Sequence, residues 1–163
     1  MFIESGQIKN QDNPKIGGKA RNLLKLESLR MNVPPWLVIP SDVLESTPID
    51  TINQALKSHQ LIIGNTDARF AVRSSAIDED SEDASFAGQF ETFLNVTSQN
   101  LLSAIKEVKN SAKSHRVKQY RKNKGLPENQ EIAVVVQKMI DAEISGVAFG
   151  ADPVTGDMDS KII

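Results

Sequence analysis

The sequence predicts an α/β (α+β) chain, with a mixed sheet and flanking helices. Two observations carry this class. Apolar residues recur at helical spacing in segments that begin near Gly18, Ile49 and Ser98. Short runs of strand character, Trp36–Ile39, Ala68–Ser74, Glu91–Val96 and Ile132–Met139, lie between and after them. Composition agrees: 163 residues, 39% hydrophobic and 25% charged, suffice for one domain of ordinary size and exclude wholesale disorder and collagen-like repeats.

The first helix is expected from about residue 18 to 30, with Ala20, Leu23, Leu24, Leu26 and Leu29 as its stripe. It stops before Val33-Pro34-Pro35, because a residue preceding proline is pushed out of the α region. Ser41 is placed to cap a short helix through Glu45. A helix over Ile49–His59 follows, with Ile49, Ile52 and Leu56 on one face. In the strand Ala68–Ser74, Phe70 and Val72 share one side, and Arg69, Ala71 and Arg73 the other. Ser75–Gln89 has turn composition and no period, so it reads as a long loop. Ser98 is placed to cap one long helix over 99–123, with Leu101, Leu102, Ile105, Val108 and Ala112 buried, stopped by Gly125-Leu126-Pro127. The valine run in Ile132–Met139 reads as a strand buried on both faces. Ser145–Phe149 is expected as a further strand, Asp152–Asp157 as a turn, and Lys161-Ile162-Ile163 as the start of another strand, which marks the chain as a cut piece of something longer.

Nineteen basic against twenty-one acidic residues give a net charge of −2, with no general drive toward nucleic acid or anionic membranes. There is no cysteine, hence no disulfide, thiol nucleophile or Cys-ligated metal. No stretch has the ~18 apolar residues of a membrane span, and the first residues lack the pattern of a signal peptide, so a soluble cytoplasmic protein is expected. The acidic run Asp78, Glu79, Asp80, Glu82 and Asp83, and the basic run Lys109, Lys113, Arg116, Lys118, Arg121, Lys122 and Lys124, read as solvated faces. His59 and His115 have no partner at catalytic spacing and read as surface residues.

Three segments offer chemistry. In Ile16-Gly17-Gly18-Lys19, two glycines at a helix start let backbone N–H groups approach an anion, and Lys19 adds a point charge suited to phosphate. The spacing is not that of a Walker loop, and taken alone the segment reads more plainly as a glycine-permitted turn with a solvated lysine. In Val72-Arg73-Ser74-Ser75-Ala76, Arg73 ends a strand where its fork can reach phosphate oxygens. Ser74, Ser75 and Ser85 offer hydroxyls, and Ala87-Gly88-Gln89 is small enough for backbone amides to close over a ligand. A salt bridge from Arg73 to Glu79 or Asp80 is the plainer alternative. In Val134-Val135-Val136-Gln137-Lys138-Met139, an apolar strand ending in polar residues can hold a flat heteroaromatic ring, or can be a core strand with a snorkelling lysine.

Taken in order, Gly17-Gly18-Lys19, Val33-Pro34-Pro35, Val72–Ala76, Glu79-Asp80, Ala84–Gln89, Glu91–Val96, Val136–Met139, Ser145-Gly146-Val147 and Asp152–Gly156 resemble the nucleotide-binding domain of phosphoenolpyruvate synthases and pyruvate phosphate dikinases. The resemblance covers about residues 16 to 163. It implies the first part of an ATP-grasp-like fold, with residues 1–163 as an N-terminal portion truncated before the second half of the ATP cleft. It implies ATP and Mg²⁺ as cofactors, and transfer of a phosphoryl group to a histidine on a separate domain and then to pyruvate on a third. By matching motifs, Lys19 and Arg73 would contact ATP phosphates, Gly88 and Thr92 would line the phosphate side, and Gln137 would sit by the adenine. No catalytic residue and no metal ligand is expected in this stretch: the family's Gly-Leu-Gly-Glu segment and its Mg²⁺ carboxylates would follow residue 163, and the piece alone is expected to be inactive. Two departures stand out. Ala20-Arg21-Asn22 replaces the commoner Gly-Ala-Asn, and Trp36 replaces a usual glycine after Pro-Pro, which should alter packing more than chemistry. Rifampicin phosphotransferases and glucan water dikinases are built on related domains, and a non-catalytic nucleotide-binding module would share these motifs. Apolar surface left where the second half should pack is expected to favour self-association.

Overall fold

The computed structural model describes residues 2–10, 12–62, 67–77, 90–127, 131–149, 151, 152 and 154–158. Its strands are β1 (Ile3–Glu4), β2 (Trp36–Ile39), β3 (Arg69–Ala76), β4 (Thr92–Thr97) and β5 (Ile132–Lys138). Its α-helices are α1 (Gly17–Ser28), α2 (Ser41–Ser46), α3 (Ile49–Lys57), α4 (Leu101–Ser111) and α5 (His115–Asn123). The strands form one sheet in the order β1-β2-β5-β3-β4.

The expected α/β class with flanking helices holds, but the strand directions differ from the mixed sheet the sequence suggested. Every pairing among the described strands is antiparallel. The reason lies in β5. Strands β2 and β3 run the same way and are joined through α2 and α3, as in a parallel crossover unit. Then β5 enters between them and pairs antiparallel with both, Val38 opposite Val135 on one side and Val72 opposite Val136 on the other.

Alternation along the strands sends side chains to two faces. Leu37, Ile39, Phe70, Val72, Val134 and Val136 join Leu44 of α2, Ile52 and Leu56 of α3, and Leu101, Ile105 and Val108 of α4 in the larger core cluster. Trp36, Val38, Ala133 and Val135 face the other way, onto Ala20 and Leu24 of α1. The valine run is thus buried on both faces, as expected. Between the pairs Phe70–Val96 and Val72–Phe93 the register slips by one residue on β4. Asn95 absorbs the bulge in the left-handed region, φ 56°, which asparagine tolerates better than branched residues.

Several boundaries shift for local reasons. Ser41 opens α2 rather than capping it; Pro40 precedes it, and the Ser41 hydroxyl donates to Glu131 at 3.0 Å. The long helix expected over 99–123 is two helices. Asn100, not Ser98, precedes α4 and gives it no side-chain bond, whereas Ser114 turns extended and accepts the Val117 N–H to start α5. The Arg121 of that basic run is buried and donates from Nε to the Pro127 carbonyl, while Lys109 lies 3.6 Å from Glu45. Gly125 ends α5 at φ 68°. Strand β3 runs on through Ala76, into the expected loop. Ser145–Phe149 forms no strand, only a single bridge at Phe149. Asp152–Asp157 is a turn: the Asp152 carboxylate accepts the Val154 and Thr155 N–H groups, which hold its pKa below the ordinary value. His59 lies past the end of α3 and is no free surface residue, since its ring is tucked by Phe2 and its Nε2 meets Glu4 at 3.0 Å. His115 is exposed, as expected.

Candidate functional site

Beyond the patch seated under α1, the second face of the sheet opens into a cavity of about 470 Å³ lined by Pro34, Ala71, Arg73, Thr92, Leu94, Gln137, Lys138, Met139 and Ile140. Three of the five residues expected to bind ligand are therefore brought together. Arg73 and Thr92 are opposite one another across the β3–β4 pair. Gln137 on β5 stands opposite Ala71 on one side and Trp36 on the other, and its Nε2 lies 3.4 Å from the Pro34 carbonyl. The strand period explains the company they keep. Ala71 and Arg73 are two residues apart on one face, as are Thr92 and Leu94.

The arrangement has two chemical ends. Arg73 and Thr92 supply a guanidinium fork and a hydroxyl, the donor set for anionic oxygens. Leu94, Met139, Ile140 and Ala71 supply apolar wall, and Gln137 an amide. A cavity of this size with apolar walls and a few convergent polar groups has the character of a small-molecule site.

Lys19 and Gly88 stand apart from this trio. Gly88 falls outside the described residues, as do Ser85 and the acidic run from Asp78 to Asp83, with the Glu79 and Asp80 offered as partners for Arg73. Lys19 lies in the first turn of α1, half-buried, and is not among the residues that line the cavity. Its neighbours in the chain are fixed, however, because the Ala20 N–H donates to Ser75 Oγ at 3.2 Å. Two readings of these motifs change accordingly. Ser74 and Ser75 are buried and do not reach the cavity. Gly17 serves close packing: a Cβ there would lie 2.2 Å from the Ser75 carbonyl oxygen, and its φ of 71° disfavours any side chain. Leu94 and Ile140 are wall residues to which the sequence motifs assigned no role, although the two-residue spacing of Leu94 from Thr92 marks it.

Among the described residues no three His, Asp or Glu side chains converge on a metal position, and no helix is long and apolar enough to cross a membrane. Trp36 answers the substitution noted after Pro-Pro. It is 1% exposed, its indole N–H donates to Glu27 at 2.9 Å, and Glu27 also accepts the Gly6 N–H. Trp36 stands opposite Gln137 across the β2–β5 pair.

Sheet, half-covered face and cation-bearing cavity together describe an α/β domain with a ligand-sized cleft on one face. Residues 45–163 match the family described as the pyruvate phosphate dikinase AMP/ATP-binding domain. The chain is 39% identical to a probable phosphoenolpyruvate synthase of Pyrococcus horikoshii, over 99% of this chain and 24% of the relative. It is 36% identical to the phosphoenolpyruvate synthase of Aeropyrum pernix, over 92% and 17%. A rifampicin phosphotransferase of Bacillus cereus is 43% identical over 72% of the chain and 13% of the relative. The chain belongs to the pyruvate phosphate dikinase AMP/ATP-binding domain family, in agreement with the ATP-grasp-like label drawn from the motifs. It spans a quarter or less of the length of these curated relatives.

Proposed function

We propose that residues 1–163 are the N-terminal portion of the ATP-binding domain of a phosphotransferase that moves a phosphoryl group from ATP to a histidine on another domain and from there to pyruvate. The observation that carries this reading is the shared cavity of Arg73, Thr92 and Gln137. Phosphoryl transfer needs little covalent chemistry from the protein; it needs cations on the phosphate oxygens and a fixed pose for the nucleotide. Arg73 and Thr92 take the phosphate end, and Gln137 with its apolar neighbours takes the base. Lys19 of α1 and Gly88, which precedes β4 in the sequence, complete the phosphate side. Mg²⁺ accompanies the nucleotide and is held by carboxylates outside this chain. The histidine-bearing domain and the pyruvate domain are partners within the whole gene product, which works in the cytoplasm.

The 163-residue chain alone does not turn over, and it binds ATP weakly. Exposed Ile144, Val147 and Val154, with 90, 65 and 91% exposure, support self-association of the piece on its own. Titration calorimetry tests the reading. The whole gene product should bind ATP, and Arg73→Ala should weaken that binding by about 100-fold, the scale of a lost charge-assisted contact to phosphate. A whole gene product with no ATP affinity would defeat the proposal.

A second reading has its own support in the 43% identity to the rifampicin phosphotransferase. The ATP half is common to both, so the acceptor separates them. Incubation of the whole gene product with ATP and either pyruvate or rifampicin should give phosphoenolpyruvate in the first reading and phosphorylated antibiotic in the second.

A further inference from the structure

Ser75 is a buried polar residue that belongs neither to the apolar core nor to the cavity. It is 0% exposed, and its Oγ accepts the Ala20 N–H across 55 residues of chain. The helix that receives this contact has no side-chain cap, because Ile16 stands at the capping position and its side chain carries no oxygen. Ala20 is four residues past Ile16, where the helix's own hydrogen bonding begins, and its N–H also donates to a neighbouring strand, which ties the first turn of α1 to β3. Gly17 is cut to the same contact. A Cβ on it would lie 2.2 Å from the Ser75 carbonyl oxygen and 2.7 Å from Oγ. Residues 17 and 20 are therefore both fixed against Ser75, and Lys19 lies between them. Along β3, Ser75 is two residues from Arg73 on the same face, about 7 Å at the usual strand rise.

We propose that Ser75 is a positioning residue of the nucleotide site: its hydroxyl, set into the notch left by Gly17, holds the first turn of α1 on β3 and so fixes Lys19 relative to Arg73. This rests on the reading of Lys19 and Arg73 as the two phosphate-binding cations. One strand then sets both charges, Arg73 directly and Lys19 through Ser75. A misplacement of Lys19 is felt by the phosphates and not by the nucleoside, which distinguishes positioning from a general loss of stability.

The test is titration calorimetry on the whole gene product with ATP and with adenosine. Ser75→Ala should raise the Kd for ATP about tenfold and that for adenosine by less than about twofold. Ser75→Thr keeps the hydroxyl and should bring ATP back to within about threefold of the parent. Gly17→Ala, which pushes the helix off the strand, should lose at least as much ATP affinity as Ser75→Ala. If Ser75→Ala does not fold, Ser75→Cys keeps the volume with a weak acceptor and should show the same split between the two ligands. Equal losses for ATP and adenosine, or no loss for ATP, overturn the proposal while leaving the site standing, provided Arg73→Ala still weakens ATP. If Arg73→Ala leaves ATP binding intact, the site itself is wrongly placed and this proposal goes with it.

Discussion

On one face of the sheet, Phe70, Val72 and Val134 are sealed under residues of α2, α3 and α4. On the other, Trp36, Val38 and Val135 lie under α1, and on the same face Gln137, two residues on from Val135, joins Ala71 and Arg73 of β3 in lining an open cavity. The same strands build both faces, and neighbouring positions serve opposite ends. Arg73 follows Val72, and Gln137 follows Val136. Period-two alternation allows a strand to be core on one side and site on the other, so the site is held by the best-packed part of the molecule. Substitutions on the closed face should therefore act on stability, and those on the open face on ligand affinity.

That contrast can be broken in four places. The largest effect belongs to the closed face: Phe70→Ala empties a fully buried ring position and should cost about 3–5 kcal/mol in a denaturant melt. A loss under about 1 kcal/mol would mean that the closed face does not carry the fold. Next comes Trp36→Phe, under α1. It keeps most of the apolar volume and removes the hydrogen bond to Glu27, for a loss of about 1–2 kcal/mol read by circular dichroism. On the open face, Leu94→Ser changes a residue that is 60% exposed. Stability should stay within about 0.5 kcal/mol while the ATP Kd rises about threefold.

The smallest effect lies at the sheet's margin, where Lys15 Nζ meets Glu131 at 2.7 Å and Ser41 donates to the same carboxylate. The Lys15 hydrogen bond, then that of Ser41, lowers the Glu131 pKa, and the Glu131 hydrogen bond raises that of Lys15. The glutamate's contribution is present above its unfolded pKa and lost as pH falls through the lowered folded value. The lysine's is present below its unfolded pKa and lost as pH rises through the raised folded value. Both side chains are exposed, so Glu131→Gln should shift Tm by only about 1–2 °C at neutral pH, and by nothing once the parent carboxylate is protonated. A shift that persists in acid would assign the effect to packing.

Much of this was legible in the residues. Trp36–Ile39 is a strand over its expected range, and the alternation through Phe70 and Val72 assigned each side chain to its face. Motif order singled out Arg73, Thr92 and Gln137, and the fold sets these three around one cavity. What escaped depends on distant partners. Nothing local to Ile132–Lys138 says that it inserts between β2 and β3, so the antiparallel sheet was out of reach of periodicity. Ser145–Phe149 has strand-like residues and, among the described residues, gains no sheet partner beyond one bridge; composition cannot supply a neighbour. The break between α4 and α5 was marked by Ser114, a capping residue just past the last stripe position, Ala112, and within the basic run. The Ser75 contact was invisible because its two ends are 55 residues apart.

The central position of β5 has a consequence for synthesis. As a ribosome delivers the polypeptide from its first residue, β2 and β3 emerge with nothing yet to bridge them, since the segment that joins them is the last of the five strands in chain order. Until residue 138 clears the exit tunnel, β2 and β3 present open edges in need of shielding from aggregation, and the packing of α1 on Ser75 of β3 directly links the parts carrying Lys19 and Arg73. Closure of the sheet is thus a late event that coincides with the arrival of Gln137.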